Sequence, residues 1–516
     1  MSVIPVPALR DRPRTYAVRT FGCQMNEHDS ERAAGILEAV GYRRADDPLD
    51  ADLVLLNTCA VRENADERLY GTLGHLKGVK EARRDEGRDL TIVVGGCLAQ
   101  KDGATVAERA PWVDVVYGTH NLGDLPDLLA RADADHLPVV ELIEALEVFP
   151  SALPSRRGVR HHAWVSISVG CDNTCAFCIV PALRGPERSR TVAEVLGEVR
   201  ALVADDVIEV TLLGQNVNSY GRDLGGRALF ADLLRDLGDV EGLERVRFTS
   251  PHPRDFTPDV LEAMAETPNV MPHLHLPLQS GSDRILRDMR RSYRRERYLE
   301  LVDRTRELLP DASLTTDIIV GFPGETEADF LDTLAVVEQV RFDQAFTFQY
   351  SPRPGTDAAE MTDRFVDPDT VAHRYRRLEE RVRAHSIAAH ERLIGRDVEL
   401  LVEGPSRTDP ARWSGRDPAN HLVHLPAPAP DTASAPSGTV GSGSASALVF
   451  HPGDLVTATV LSAATGYAIA GGAARVHRTR AGCAAEVAAA AGHVPLAARR
   501  APGFVSPTTQ RLPVVG

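Results

Sequence analysis

Cys171, Cys175 and Cys178 fall within eight residues, C-D-N-T-C-A-F-C, just past an apolar-alternating run over residues 164–169. Thiolates are the preferred ligands of iron–sulfur clusters, and a cubane of four irons takes four of them. Three thiolates leave one iron open for a substrate or cofactor, as a catalytic zinc site keeps one position free. A zinc knuckle and a set of unrelated thiols are the competing readings of this spacing. A zinc site normally recruits a fourth Cys or His close by, and the nearest histidines, His161 and His162, lie upstream.

Three further cysteines recur at matching places. Residues 16–20 form a β-rich run leading into Phe21-Gly22-Cys23 and a helical pattern over 30–40. Residues 52–56 lead into Asn57-Thr58-Cys59 and a helix over 64–76, and residues 91–94 lead into Gly95-Gly96-Cys97. The runs are short and continuously apolar, as expected of strands buried on both faces of a parallel sheet. We therefore read residues 15–145 as a doubly wound α/β domain. In such a sheet the residues just past each strand share the carboxyl edge, where ligands bind. Cys23, Cys59 and Cys97 can converge there on a second three-thiolate cluster; the alternative is three inert core cysteines.

A linker over 146–160 contains Pro150, Pro154 and Gly158. The next domain, residues 157–387, alternates strand patterns at 164–169, 207–213, 245–249, 273–277, 314–320 and 345–350 with helical ones at 192–203, 229–237, 258–265, 294–309 and 327–340. Six βα repeats predict an open (βα)6, partial TIM-like barrel, with chemistry at the carboxyl ends of its strands. The strand ends Gly214-Gln215-Asn216, Gln279-Ser280-Gly281 and Gly321 to Glu325 carry polar groups and glycines that suit close backbone approach, or are simply turns. Asp317 sits inside the fifth strand, where an unpaired carboxylate would be costly. Residues 391–474 read as a small β-barrel, from runs at 397–402, 455–461 and 467–469. An Ala/Pro/Ser/Gly-rich insertion at 426–447 and the tail 475–516 are expected to be disordered, with Cys483 silent.

Seven cysteines in 516 residues are too few for a disulfide scaffold and suit a reducing, cytoplasmic setting. Residues 1–14 lack an apolar stretch of signal-peptide length, and no run is long enough to span a membrane. A net charge of −15 argues against wholesale coating by nucleic acid, yet arginines cluster at 184–190, 287–297 and 374–383.

The C-x3-C-x2-C loop after a strand resembles the signature of the radical SAM enzymes, and Phe177 before the last cysteine fits it. In that family the open iron chelates the amino and carboxylate groups of S-adenosylmethionine (SAM), which is cleaved to a 5′-deoxyadenosyl radical. Further phrases are similar to the methylthiotransferases within it: F-G-C-Q-M-N at 21–26, N-T-C-A-V-R at 57–62 and G-G-C-L-A-Q at 95–100. The core phrases C-D-N-T-C-A-F-C-I-V-P-A-L-R-G-P-E-R-S-R at 171–190, L-L-G-Q-N-V-N-S-Y-G at 212–221, S-P-H-P at 250–253, H-L-P-L-Q-S-G-S-D at 275–283 and D-I-I-V-G-F-P-G-E-T at 317–326 continue the likeness. The closing β region resembles a TRAM domain, an RNA-binding barrel of this family.

The resemblance implies two 4Fe-4S clusters, one on Cys23, Cys59 and Cys97 and one, with SAM, on Cys171, Cys175 and Cys178. Beside that loop, Phe177 and the strand-end residues Gln215, Gln279 and Asp317 are candidate SAM contacts, and Arg184, Arg188 and Arg190 are placed to hold phosphates. The wording at 214–221 and 250–253 looks most like the branch that methylthiolates carbon 2 of isopentenylated adenosine beside the tRNA anticodon. Relatives acting on threonylcarbamoyladenosine or on a ribosomal-protein aspartate are the rivals. A non-catalytic iron–sulfur carrier or RNA-binding protein is the reading of a different class. Implied partners are the tRNA anticodon stem-loop and an electron donor such as flavodoxin or ferredoxin, for a monomer free of membranes.

Overall fold

The computed structural model describes residues 13–60, 64–135, 138–143, 154–406, 408–428 and 448–490. Its first sheet contains β1 (Thr15–Thr20), β2 (Arg43–Arg44), β3 (Leu53–Thr58), β4 (Thr91–Gly96), β5 (Val115–Tyr117) and β6 (Val139–Glu141), all parallel, in the order 2-1-3-4-5-6. Side chains alternate between its faces, and both faces are buried. Val54, Leu56, Ile92 and Val94 pack on helices Asn64–Asp85 and Cys97–Arg109. Leu53, Leu55, Val93 and Val115 pack on helices Gln24–Ala39 and Leu125–Asp135. This double covering explains the continuous apolar runs.

The second domain holds six parallel strands: β7 (His162–Ser166), β10 (Glu209–Leu213), β11 (Arg245–Phe248), β12 (His273–His275), β13 (Ser313–Val320) and β14 (Gln344–Gln349). They form two three-stranded sheets, joined by a parallel bridge between Val246 and Val270. Short β8 (Ser168–Val169) and β9 (Arg188–Ser189) pair across the cysteine loop, so the run expected at 164–169 is split between β7 and β8. Helices are fixed by local capping: Thr191 and Glu194 close a capping box on Val192–Ala204, and Thr326 and Asp329 do so on Glu327–Val340.

The third domain is a closed five-stranded barrel, β15 (Asp397–Pro405), β16 (Arg412–Arg416), β17 (Leu422–Pro426), β19 (Tyr467–Ala470) and β18 (Leu455–Ala464), sealed by pairing of β15 with β18. It sits at the amino-terminal ends of the core strands. Arg245, 2 % exposed at the start of β11, donates to Arg416 O at 2.9 Å, while Arg247 donates to Asp417 O and Pro418 O.

Two expectations are corrected. Pro426 belongs to β17, paired with Arg412, so the insertion begins later; residues 429–447 lie outside the described residues. The tail is not disordered from 475: β20 (Arg475–His477) extends β18 antiparallel, and helix Arg480–Ala490 follows. Ala481 is buried with Ile208, Leu401 and Leu455, and Arg480 donates to Val207 O and Gly242 O, so this segment straps barrel to core. Residues 491–516 lie outside the described residues.

Candidate active site

The amino-terminal cysteines follow adjacent strands of one sheet, β1, β3 and β4, at their carboxyl ends. Cys23 is the N-cap of helix Gln24–Ala39, which begins six residues before the expected 30, and Cys97 opens helix Cys97–Arg109. Helix amino termini favour negative charge, so both sulfurs sit where a negatively charged cluster would be favoured. Gly96 takes a φ of +93°, and a Cβ there would lie 2.2 Å from Asn57 Oδ1. Buried Asn26 and Asn57 lock the loops together: Asn57 Nδ2 donates to Asn26 O at 2.8 Å, and Asn26 Nδ2 to Thr58 O at 3.2 Å. Cys23 Sγ lies 3.4 Å from Asn26 Oδ1. The asparagines stand in the sequence phrases, but their role as braces was not read from them.

The second triad lies on the loop after β8. Gly170 takes a φ of +82°, and a Cβ there would lie 2.0 Å from Pro186 O. The loop is stitched by Cys171 N–H to Gly185 O, Ala176 N–H to Met289 O and Cys178 N–H to Cys175 O. Two side chains donate to sulfur: Asn173 Nδ2 to Cys171 at 3.5 Å and Arg291 Nη1 to Cys175 at 3.5 Å. The Arg291 guanidinium also lies over the Phe177 ring, 5.5 Å from its centroid. Phe177 packs at the margin of the cluster of Ala176, Ile285, Met289 and Phe322.

Burial pushes the Cys178 thiol up to about 11 and raises Cys171; it raises Cys97 too, against the lowering pull of Arg184. Burial thus keeps these three thiols protonated, and thiolate formation at them accompanies metal binding. Among the described residues no three Cys, His, Asp or Glu side chains are gathered tightly enough to share one ion. A cubane seats each thiolate on a different iron, so its ligands stand farther apart than those of zinc. Each all-sulfur triad, with N–H donors or helix termini facing it, has the chemistry of a cluster site.

A short helix links the two triads. Helix Val180–Arg184 leaves Cys178, and Ile179 and Leu183 pack on Cys97 and Ala60. Arg184, 6 % exposed, pairs with Asp29 at 2.7 Å and donates to Cys97 Sγ at 3.6 Å. Arg190 is equally enclosed, paired with Glu198 and donating to Ser166 O. The expectation that Arg184 and Arg190 meet RNA phosphates is thus corrected: both are committed inside the protein, and of the three only Arg188 is exposed.

The polar strand ends are a mixed set. Gln279 is buried with a left-handed φ of +63°, held by Gln279 N–H to Asp317 O and Ile319 N–H to Gln279 O. Such backbone costs about 1–3 kcal/mol in a non-glycine residue and persists where surroundings over-determine it. Asp317 lies 3.3 Å from His275 Nε2, a partner that sequence reading missed. Gln215 buries an Oε1 that has no protein partner. Glu325 is used up structurally: it accepts from Gly321 N–H and pairs with Arg374 at 3.0 Å. Cavities of about 500 and 450 Å³ open on the barrel–core seam and hold none of the cysteines.

Comparison with known proteins gives the family. The radical SAM superfamily matches residues 165–337, and a family described as uncharacterized protein family UPF0004 matches residues 15–118. The tRNA-2-methylthio-N(6)-dimethylallyladenosine synthase of Acidothermus cellulolyticus is 60% identical over 479 residues, covering 92% of this chain and 91% of its own. The enzyme of the same name from Thermobifida fusca is 57% identical over 477 residues, 92% of each chain. Among solved structures, the radical S-adenosylmethionine methyltransferase TsrM from Kitasatospora setae has a TM-score of 0.49 at 14% identity, over 67% of this chain and 75% of that one. The chain belongs to the radical SAM tRNA methylthiotransferases, in the family of the tRNA-2-methylthio-N(6)-dimethylallyladenosine synthases.

Proposed function

We propose that this enzyme adds a methylthio group to carbon 2 of N(6)-dimethylallyladenosine beside the anticodon of tRNA, using two 4Fe-4S clusters and two molecules of SAM. The observation that carries the reading is the helix Val180–Arg184, which leaves one cysteine triad and ends against the other. A C–H bond at carbon 2 of adenine is unactivated, so acid–base chemistry at neutral pH does not break it, and a radical route is required. The names of relatives 57% and 60% identical support the substrate.

Cys171, Cys175 and Cys178 would hold the cluster that binds SAM; Cys23, Cys59 and Cys97 would hold the second. When bound, these groups supply the radical and the site of sulfur transfer. The chain's own contribution is placement. Arg291 orients the Cys175 sulfur and Phe177, and Gln279 and Asp317 line the strand ends beside them. The asparagine brace fixes the second triad. A single-stranded anticodon loop suits such a site, because its bases can splay out and be stacked. We assign the cluster work to residues 15–145 and 157–387 and a backbone hold on tRNA to the TRAM-like barrel, in a cytoplasmic monomer fed by a flavodoxin- or ferredoxin-type donor. No described helix is long and apolar enough to cross a membrane.

The test is mass spectrometry of nucleosides from tRNA carrying dimethylallyladenosine, incubated anaerobically with reconstituted enzyme, SAM and dithionite. A 2-methylthio product is expected. Deoxyadenosine without that product would overturn the substrate and point to the threonylcarbamoyladenosine or ribosomal-protein relatives.

A further inference from the structure

We infer that Arg184 is a positioning residue through which the radical SAM loop sets the charge, and so the reduction potential, of a cluster held by Cys23, Cys59 and Cys97. The inference rests on the reading of that triad as cluster ligands. Its basis is a contact that links three parts of the chain. Arg184 ends the five-residue helix that follows Cys178, and the same Nη2 donates to Asp29, on the helix begun by Cys23, and to the Cys97 sulfur, at 2.7 and 3.6 Å.

An arginine enclosed this far is costly unless its charge is met. Asp29 meets it with one carboxylate, which leaves the sulfur contact as an addition that neutrality does not demand. Charge and N–H···S hydrogen bonds at the ligand sulfurs are the protein's main levers on cluster potential. A guanidinium against Cys97 favours the more reduced, more negative cluster, and Asp29 opposes it. His28, buried with both ring nitrogens unbonded, is held neutral first by burial and then by Arg32, Arg190 and Arg184, so it adds no charge. The helix that carries the guanidinium is held from both sides: Cys171 N–H of the cysteine loop donates to Gly185 O at 3.1 Å, and Thr119 Oγ1 of the first domain donates to Leu183 O at 2.8 Å.

The pair of opposed charges gives a test with a sign. Full-length protein, loaded anaerobically with ferrous iron and sulfide, is titrated redox-wise and followed by electron paramagnetic resonance. Cys59→Ala identifies the signal of the amino-terminal cluster. Arg184→Met is expected to lower the midpoint of that signal, leaving about tenfold less reduced cluster at a fixed potential, about 59 mV for a one-electron couple. Asp29→Asn is expected to raise it, Arg184→Lys to restore it in part, and the other cluster's midpoint to stay put in all three. Midpoints that do not move, or that move together for both clusters, overturn the inference, because a merely structural role predicts no opposite signs. Should the Met variant not hold amino-terminal iron, the Lys and Asn variants carry the test, and equal midpoints in those two overturn it. Iron and spectra unchanged by Cys59→Ala would refute the ligand reading itself, and this inference with it.

Discussion

Raising the pH should loosen the seam between the β-barrel and the radical SAM core, by deprotonating His421. This imidazole, 10 % exposed, lies between carboxylates from two domains: Nδ1 is 2.8 Å from Asp417 in the barrel, and Nε2 is 3.5 Å from Asp343 before β14. Burial pulls its pKa down, but the two carboxylates prevail and push it up to about 9. His390 packs edge-on at 5.3 Å, and Arg392 pairs with Asp343 at 2.8 Å, so part of the Asp343 charge is already met; the protonated His421 in turn helps hold His390 and His273 down, after burial. An unfolded histidine titrates near about 6.5. Because the folded value is the higher one, the stabilisation is complete below that pH and fades as pH rises through about 9. At about 1.4 kcal/mol per pH unit the pair is worth roughly 3 kcal/mol, an upper figure, since the Nε2 contact is long for a hydrogen bond. Urea unfolding followed by circular dichroism at pH 6 and pH 10 would compare wild type with His421→Gln. The variant should be the weaker by up to roughly 3 kcal/mol at the lower pH, with the gap closing at the higher. A gap of equal size at both would refute the reasoning, leaving His421 as a packing residue only.

Gly96→Ala forces a Cβ to 2.2 Å from Asn57 Oδ1 and 2.6 Å from Thr58 O, in a left-handed conformation. It should cost the first domain more than about 2 kcal/mol and halve bound iron, with SAM cleavage retained, as read by iron assay and thermal melts. Arg245→Ala leaves Arg416 O without its donor and should cost about 2 kcal/mol, seen as earlier proteolytic release of the barrel. Cys175→Ala should abolish deoxyadenosine formation in a folded protein, whereas Cys59→Ala should spare it and stop methylthio transfer; equal loss of both activities would mean that the two triads do not work separately.

The cysteine triads were legible because their spacing is local or repeats with the βα period, and the strands behind them are continuous apolar runs. Strands β2, β5 and β6 escaped, being two or three residues long and lacking a pattern of their own. Arg184 and Arg190 were misread for a physical reason: an arginine cluster has one composition whether it faces water or carboxylates, and only the fold brings Asp29 and Glu198 to it. The same holds for His275 beside Asp317, which pair across neighbouring strands 42 residues apart in sequence. The tail looked featureless because Ala481 and Arg480 are small or charged, and their value comes from fitting against Ile208 and capping Val207 O.

The placement of the barrel constrains how it can act on RNA. It touches the amino-terminal ends of the core strands, at Arg245, Ser313 and Asp343, whereas the cysteine loop and the turns at Gly214, Gln279 and Gly321 lie at the carboxyl ends. β13 alone, at eight residues, separates the two ends by about 25 Å. SAM or a free nucleoside is too short to reach both, and a folded tRNA is not. A barrel in that place stands far from the carboxyl-end turns. The hold on tRNA proposed for it would therefore fall on phosphates far from the modified base, while Arg291, Gln279 and the asparagine brace act at the strand ends. Damage to the barrel surface should then appear in the salt dependence of tRNA binding, and damage at the strand ends in turnover.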